Sequence, residues 1–280
     1  MSLNGFSNSN VTKKVANQKL ETMGLGLEIR TRKNNYPEVL KSGSLYYQTN
    51  NITTIKRSFG IPTAISGAAD NFILPATASA FQISSSSTND NATGTGARTV
   101  YIEGLKKVNN KWLDINETLT LDGRNAVLTN STDWWRVNKM WVNTVGTGGV
   151  NEGNIYISPV GQALTTGVPV INNIKSIIIG YNNSTGGFFS VGSGKKFQYV
   201  KGNFWVATNK EIRICECFYQ DITGGNSPLR YEVGEYVGAS TSYDYTGAAP
   251  YTEKTDIGLQ IHTTQGSASA ATYYVEYILT

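Results

Sequence analysis

Between Ile83 and Ile157 apolar residues recur at alternate positions in short runs, and each run ends in a cluster of Ser, Thr, Asn, Asp and Gly. Thr99-Val100-Tyr101-Ile102, Trp112-Leu113-Asp114-Ile115 and Thr118-Leu119-Thr120-Leu121 each alternate. Trp135 to Val142 alternates as well, which predicts Trp135, Val137, Lys139 and Trp141 on one face and Arg136, Asn138, Met140 and Val142 on the other. Turn signals fall at Gly104–Asn110, Asp122-Gly123 and Gly146–Gly153. Period-two runs separated by residues that favour positive φ or cap with their side chains describe strand, turn, strand.

The same pattern divides the chain. Residues 71–165 read as a first antiparallel sandwich of jelly-roll character, opened by Phe72-Ile73-Leu74 and Phe81-Gln82-Ile83-Ser84. Residues 166–195 read as a connector that includes Ile174–Tyr181, an apolar segment expected to be buried on both faces if it is a strand. Residues 196–280 repeat the β pattern as a second sandwich, with strands over Phe197–Val200, Asn203–Ala207, Glu211–Tyr219, Arg230–Val237 and Asp256–His262. Thr272–Leu279 predicts a strand at the C-terminus, tied into a sheet. Residues 1–70 alternate weakly and carry Lys13-Lys14, Lys19 and Arg30-Thr31-Arg32-Lys33; they read as an extended N-terminal arm. Val15–Met23 is the one stretch compatible with a short helix. The expectation is an all-β protein of two sandwich domains and an arm.

Composition changes this picture in one respect. Charged residues make up 16% of 280, against roughly 25% in ordinary soluble domains, so the polar surface must come from Asn, Thr, Ser, Gly and Tyr. With 16 Tyr and 5 Trp, the chain carries residues that interfaces favour. Exposed sheet edges and uncovered aromatic surface then predict a homo-oligomer. A net charge of +4, scattered along the chain, gives no basis for nucleic-acid binding. No apolar run approaches the ~20 residues of a membrane-spanning helix. Met1–Asn10 lacks the basic and apolar regions of a signal peptide, so synthesis in a cytoplasm is expected.

Candidate chemistry is sparse. Cys215 and Cys217 share one strand face, and His262, the sole histidine, cannot complete a four-ligand zinc site with them. No Gly-x-Ser-x-Gly elbow accompanies His262. Gly94-Thr95-Gly96 lacks the Gly-Lys-Ser/Thr and the following helix of a phosphate loop. Two of Glu103, Asp114, Glu117, Asp122 and Asp133 converging beside Trp134 or Trp135 would make a glycosidase, but these acids flank strands and turns, where acids serve solubility. The expectation is no enzyme, no cofactor and no metal.

The ordered string Ser87-Thr88-Asn89-Asp90-Asn91-Ala92-Thr93-Gly94-Thr95-Gly96-Ala97-Arg98-Thr99-Val100, Asn116–Gly123, Trp135-Arg136-Val137-Asn138 and Gly149–Ile155 resembles a family of virion structural proteins of tailed, mostly aquatic, bacteriophages. Glu253–Ile257 and the strand after it fit that family's last sheet. The segment Lys106–Trp112 is longer than the family's usual hairpin, and residues 1–70 match nothing in it. The resemblance implies a non-enzymatic virion component on the particle exterior (capsid decoration, vertex or fibre base), with the major capsid or other virion proteins as partners. The alternative is a receptor- or glycan-binding module of a tail or fibre. Candidate interaction residues are Trp134, Trp135, Arg136, Tyr243 and Tyr245, joined by Arg30, Arg32 and Lys33 of the arm.

Overall fold

The computed structural model describes residues 41–49, 55–57, 73–170, 173–185, 187–206, 211–221, 226–237, 241–244, 250–263 and 271–280. The protein is all-β: none of these residues is helical, and every strand pairing is antiparallel. Val15–Met23 lies outside the described residues.

The first half is built from two sheets. One has the order β12-β11-β8-β3-β6, from β3 (Phe81–Ser85), β6 (Val127–Leu128), β8 (Ile155–Pro159), β11 (Lys175–Ile177) and β12 (Ser184–Thr185). The other has the order β5-β4-β7, from β4 (Ala97–Val108), β5 (Lys111–Thr120) and β7 (Trp134–Val145). A small hairpin joins β9 (Leu164–Thr165) to β10 (Val168–Pro169). Phe81, Ile83, Val100, Ile102, Trp134, Val137, Met140, Ile155, Ile157, Ile174 and Ile177 from both sheets are buried in one core. Fully burying a side chain of this kind stabilises by about 1.5–3 kcal/mol, and this core holds the first half together.

β4 and β5 close through Asn109-Asn110, both at positive φ (48° and 60°), the conformation of a two-residue hairpin turn that matches the strand twist. Gly104 is not part of that turn, contrary to the sequence expectation. It lies inside β4 because the backbone of β7 passes so close that a Cβ there would stand 1.9 Å from the Arg136 carbonyl oxygen.

β7 departs from simple alternation. Its register against β4 jumps from Lys106↔Trp134 to Leu105↔Arg136, and from Gly104↔Val137 to Glu103↔Lys139. Trp135 and Asn138 are therefore bulged residues, each adding one position on one strand. Two bulges reset the faces, so Trp134, Val137 and Met140 all reach the same core. The expected grouping of Val137 with Lys139 and Trp141, opposite Met140, is corrected accordingly.

The second half also has two sheets. β1 (Lys41–Thr49), β19 (Ala271–Leu279), β14 (Phe197–Val206) and β17 (Thr241–Asp244) follow the order β1-β19-β14-β17. β13 (Phe188–Ser190), β18 (Thr255–Thr263), β15 (Glu211–Asp221) and β16 (Asn226–Val237) follow the order β13-β18-β15-β16, and β2 (Ile55–Arg57) pairs with β18. Phe189 of the second sheet packs against Phe197 (5.3 Å) and Tyr277 (5.1 Å) of the first, and Phe197 stacks on Tyr277 at 4.7 Å. The C-terminal strand is tied into a sheet on both sides, by β1 and β14.

Two spans contribute differently from their sequence reading. Within the expected arm, Lys41–Thr49 pairs residue for residue with Leu279–Ala271 of the same chain, and Ile55–Arg57 with β18. Within the expected connector, β11 and β12 complete the first half and β13 opens the second. Of Ile174–Tyr181, only Lys175–Ile177 is strand; Ile178, Ile179 and Tyr181 are 41%, 54% and 68% exposed.

Candidate functional site

The separated pieces of the resembling string meet at two places, the first of them a knot of turns around Asp90. This carboxylate is buried, and both oxygens are filled. Oδ1 accepts from the Ala97 amide (2.7 Å) and the Glu152 amide (2.9 Å); Oδ2 accepts from the Ser85 hydroxyl (2.5 Å) and the Gly153 amide (2.9 Å). The Asp90 carbonyl accepts from the Gly123 amide, so Ser85, Ala97, Gly123 and Glu152-Gly153 are bound to one residue. Backbone N–H groups converging on a buried carboxylate give charge-assisted bonds, which are stronger than neutral ones. The arrangement leaves the carboxylate no lone pair for a cation.

Around the knot, Glu152 accepts from Asn89 Nδ2 (2.7 Å) and Thr95 Oγ1 (2.5 Å). The Thr95 hydroxyl first, then the Asn89 amide, hold the Glu152 carboxyl below the ordinary carboxylate range. Buried Asn151 donates to the carbonyls of Gly153 (2.7 Å) and Ile178 (2.9 Å), and it exchanges side chain-to-amide bonds with Asn182. Glu117 closes a neighbouring turn, accepting from the Asn130 and Ser131 amides and from Trp134 Nε1 (2.8 Å).

The second meeting place is the joint between the halves. Arg136 of β7 donates through Nε and Nη2 to both oxygens of Asp256 on β18, the Nη2–Oδ2 distance being 2.8 Å. Its Nη1 donates to the carbonyls of Pro75 and Trp135, each at 2.9 Å. The guanidinium lies over the Trp135 ring at 3.9 Å and the Trp112 ring at 5.3 Å, and Ser190 Oγ donates to Asp256 Oδ1 at 2.5 Å. A planar fork of donors between aromatic faces is the geometry that suits Arg and not Lys. Beside it, the bulged Asn138 offers its side-chain amide to Ser190 as a strand would offer backbone: Nδ2 donates to the Ser190 carbonyl (2.9 Å), and Oδ1 accepts the Ser190 amide (2.8 Å). The joint is extended by Trp112 and Ser193, which exchange two bonds, and by the Lys195–Asp114 ion pair. Burial drives the Tyr277 phenol well up, with the Glu103 carboxylate across the joint adding to it.

The structure therefore redistributes the candidate residues. Trp134, Trp135 and Arg136 form no surface: Trp134 is in the core, and the other two are buried in the joint. Their burial follows from the bulges and from Asp256, which supplies the counter-charge 120 residues away. Tyr243 lies on β17 opposite Gly202, whereas Tyr245, Arg30, Arg32 and Lys33 lie outside the described residues. Sequence reading did not single out Asp90, Lys175, Ser190 or Asp256. The Asn-Asp-Asn run and the charged Asp256 within an apolar strand were the available signals.

No protein-family model matches the chain, and no curated protein does. Among solved structures, the PBSX exported protein XepA aligns over 87% of this chain and 86% of its own, with 12% identity and a TM-score of 0.16. The VP2 subviral particle protein of infectious bursal disease virus aligns over 87% and 81%, with 11% identity and a TM-score of 0.11. A structure of the Gx strain of that virus gives 9% identity and a TM-score of 0.12 over 85% and 80%. Similarity this low assigns neither fold nor function.

Proposed function

We propose that the chain is a non-enzymatic structural component of a phage-like virion, placed on the particle exterior as a capsid-decoration, vertex or fibre-base protein. One observation carries the reading: the chief polar side chains of the resembling string are spent on bonds within the fold. Asp90, Glu117, Arg136, Asn138 and Asn151 use their polar atoms to fasten turns and to join the halves. A shared string of this kind describes a framework rather than a reacting centre. The glycan-binding alternative had placed Trp134 against sugar, and that ring is in the core.

A homo-oligomer, a trimer by analogy with virion appendages, belongs to the same proposal, with major capsid or other virion proteins as further partners. Exposed Ile178, Ile179, Tyr181 and Val150 supply apolar surface that a monomer would leave in water.

The test compares two binding experiments on the purified chain: co-sedimentation with assembled phage capsids that lack it, and a glycan array. Saturable capsid binding with no selective glycan supports the decoration role. Selective, tight glycan binding without capsid binding replaces it with the receptor-binding module.

A further inference from the structure

Lys175 opens β11 with its side chain wholly buried, and its amine reaches the joint instead of an acid. Nζ donates to the Asn138 carbonyl at 2.7 Å and to the Val137 carbonyl at 3.4 Å, and it stands 3.9 Å over the Phe188 ring. Both carbonyls lie at the Asn138 bulge, where β7 steps out of register with β4. Phe188 begins β13, the strand whose Ser190 is held by the Asn138 side chain. Lys175 thus contacts both sides of the joint, the bulge of the first half and the opening strand of the second.

We propose that Lys175 is a protonation-controlled latch: the joint closes around the neutral amine and opens toward the protonated one. Burial pushes the Lys175 amine down from 10.5 to about 7, since removing an ammonium from water is costly; the two carbonyls and the Phe188 ring face offset part of that cost, and among the described residues no carboxylate adds to them. Among the described residues, Lys175 is in no ion pair. The charged and titratable groups on neighbouring elements are engaged elsewhere. On β7, Arg136 is bound to Asp256 of β18, and Lys139 lies over Trp141. On β8, Tyr156 is the cross-strand partner of Ser176 and accepts from Asn154. β12 and β13 bring no titrating side chain toward the amine.

The sign follows from proton linkage. In an opened joint the amine regains water and an ordinary value near 10.5, so opening takes up a proton between about 7 and 10.5. The opening equilibrium should therefore rise about tenfold for each pH unit lost across that window, and level off below it. Over this window the joint tightens as pH rises, and it is loosest at neutrality and below.

Two measurements on the full chain test this. With ¹³Cε-labelled lysine, one resonance should titrate near pH 7 and vanish in Lys175→Met; if every lysine resonance titrates above about 9, near the ordinary lysine range, the latch does not exist. Hydrogen exchange in β7 and β13, corrected for intrinsic rate, should show openings that increase about tenfold per unit from pH ~9.5 to ~7.5 in the wild type. The same openings should be flat with pH in Lys175→Met, or in Lys175→Gln if the first variant does not fold. Equal slopes in wild type and variant overturn the proposal. Should neither variant fold, the wild-type titration decides by itself.

Discussion

Arg136 and Asp256 close a two-pronged ion pair from which water is almost entirely excluded, their side chains both 3% exposed. They belong to different halves of the molecule, and the pair sits between the Trp135 ring and Ser190. Breaking such a pair from one side leaves an uncompensated buried charge, which costs about 3–5 kcal/mol. Arg136→Met should therefore lower the unfolding free energy by about that amount in urea titration, and Arg136→Lys should recover little because one ammonium cannot replace the fork. The double variant Arg136→Met, Asp256→Leu should be less destabilised than Arg136→Met alone. A strictly additive double variant would show that the pair is not coupled.

Asp90→Asn replaces one acceptor oxygen of the knot with an amide that faces existing donors. One rotamer sets the new NH2 against the Ala97 and Glu152 amides, and the other sets it against the Gly153 amide, since only the Ser85 hydroxyl can turn to accept. A loss of about 3 kcal/mol is expected by urea denaturation, in keeping with unsatisfied buried groups next to a lost charge. An unchanged midpoint would show that the knot does not support the fold.

Glu152 gives the pH dependence of the same region. Its carboxyl is held below 4.5 in the folded chain by Thr95 and Asn89, whereas the unfolded chain has the ordinary value. The sign for a lowered carboxyl is that its stabilising effect is full above the unfolded value and is lost as pH falls through the folded one. NMR titration should place the Glu152 midpoint below 4.5, and Thr95→Val should move it upward. A midpoint unmoved by Thr95→Val would remove the hydroxyl as the cause.

Two glycines separate close approach from backbone conformation. A Cβ at Gly104 would stand 1.9 Å from the Arg136 carbonyl oxygen, and the obstacle is backbone, so β4 and β7 must separate. Gly104→Ala should cost about 3 kcal/mol or more, beyond the usual overpacking range. Gly149 has φ +73° with nothing within 4 Å, so Gly149→Ala should cost only about 1 kcal/mol, the conformational part alone. Thermal melts of the two variants check the ordering.

The exposed turn Ile178–Tyr181 tests the assembly reading. Ile179→Ser and Tyr181→Ser remove surface apolar groups and should shift stability by less than about 0.5 kcal/mol. If this turn is an interface, sedimentation should show the oligomer dissociating at higher concentration than in the wild type. Unchanged association of both variants would take the turn out of any interface.

Alternation and turn chemistry are local properties, and they were enough to establish the all-β class, a turn ending at Asn110 and the sheet-bound C-terminus. Asn109-Asn110 turns and Val100 and Ile102 point inward for reasons their own neighbours supply. The faces of β7 were not legible, because the bulges at Trp135 and Asn138 arise from register against β4, which alternation along one strand cannot report. Arg136 looked like surface charge because its partner lies on a strand 120 residues away. Asp90 could not be told from Asn89 and Asn91, since only the folded turns bring four donors to one carboxylate and none to its neighbours in the same way. Lys175 and Ile178 stand three residues apart in one apolar run, yet the amine is buried and the isoleucine 41% exposed. The sequence by itself determined the all-β class and the strand at Ala271–Leu279, because alternation depends on nearest neighbours. Which charges are buried, which tryptophans join the halves and which apolar residues meet water was decided by the tertiary structure, because burial is a property of what packs on top.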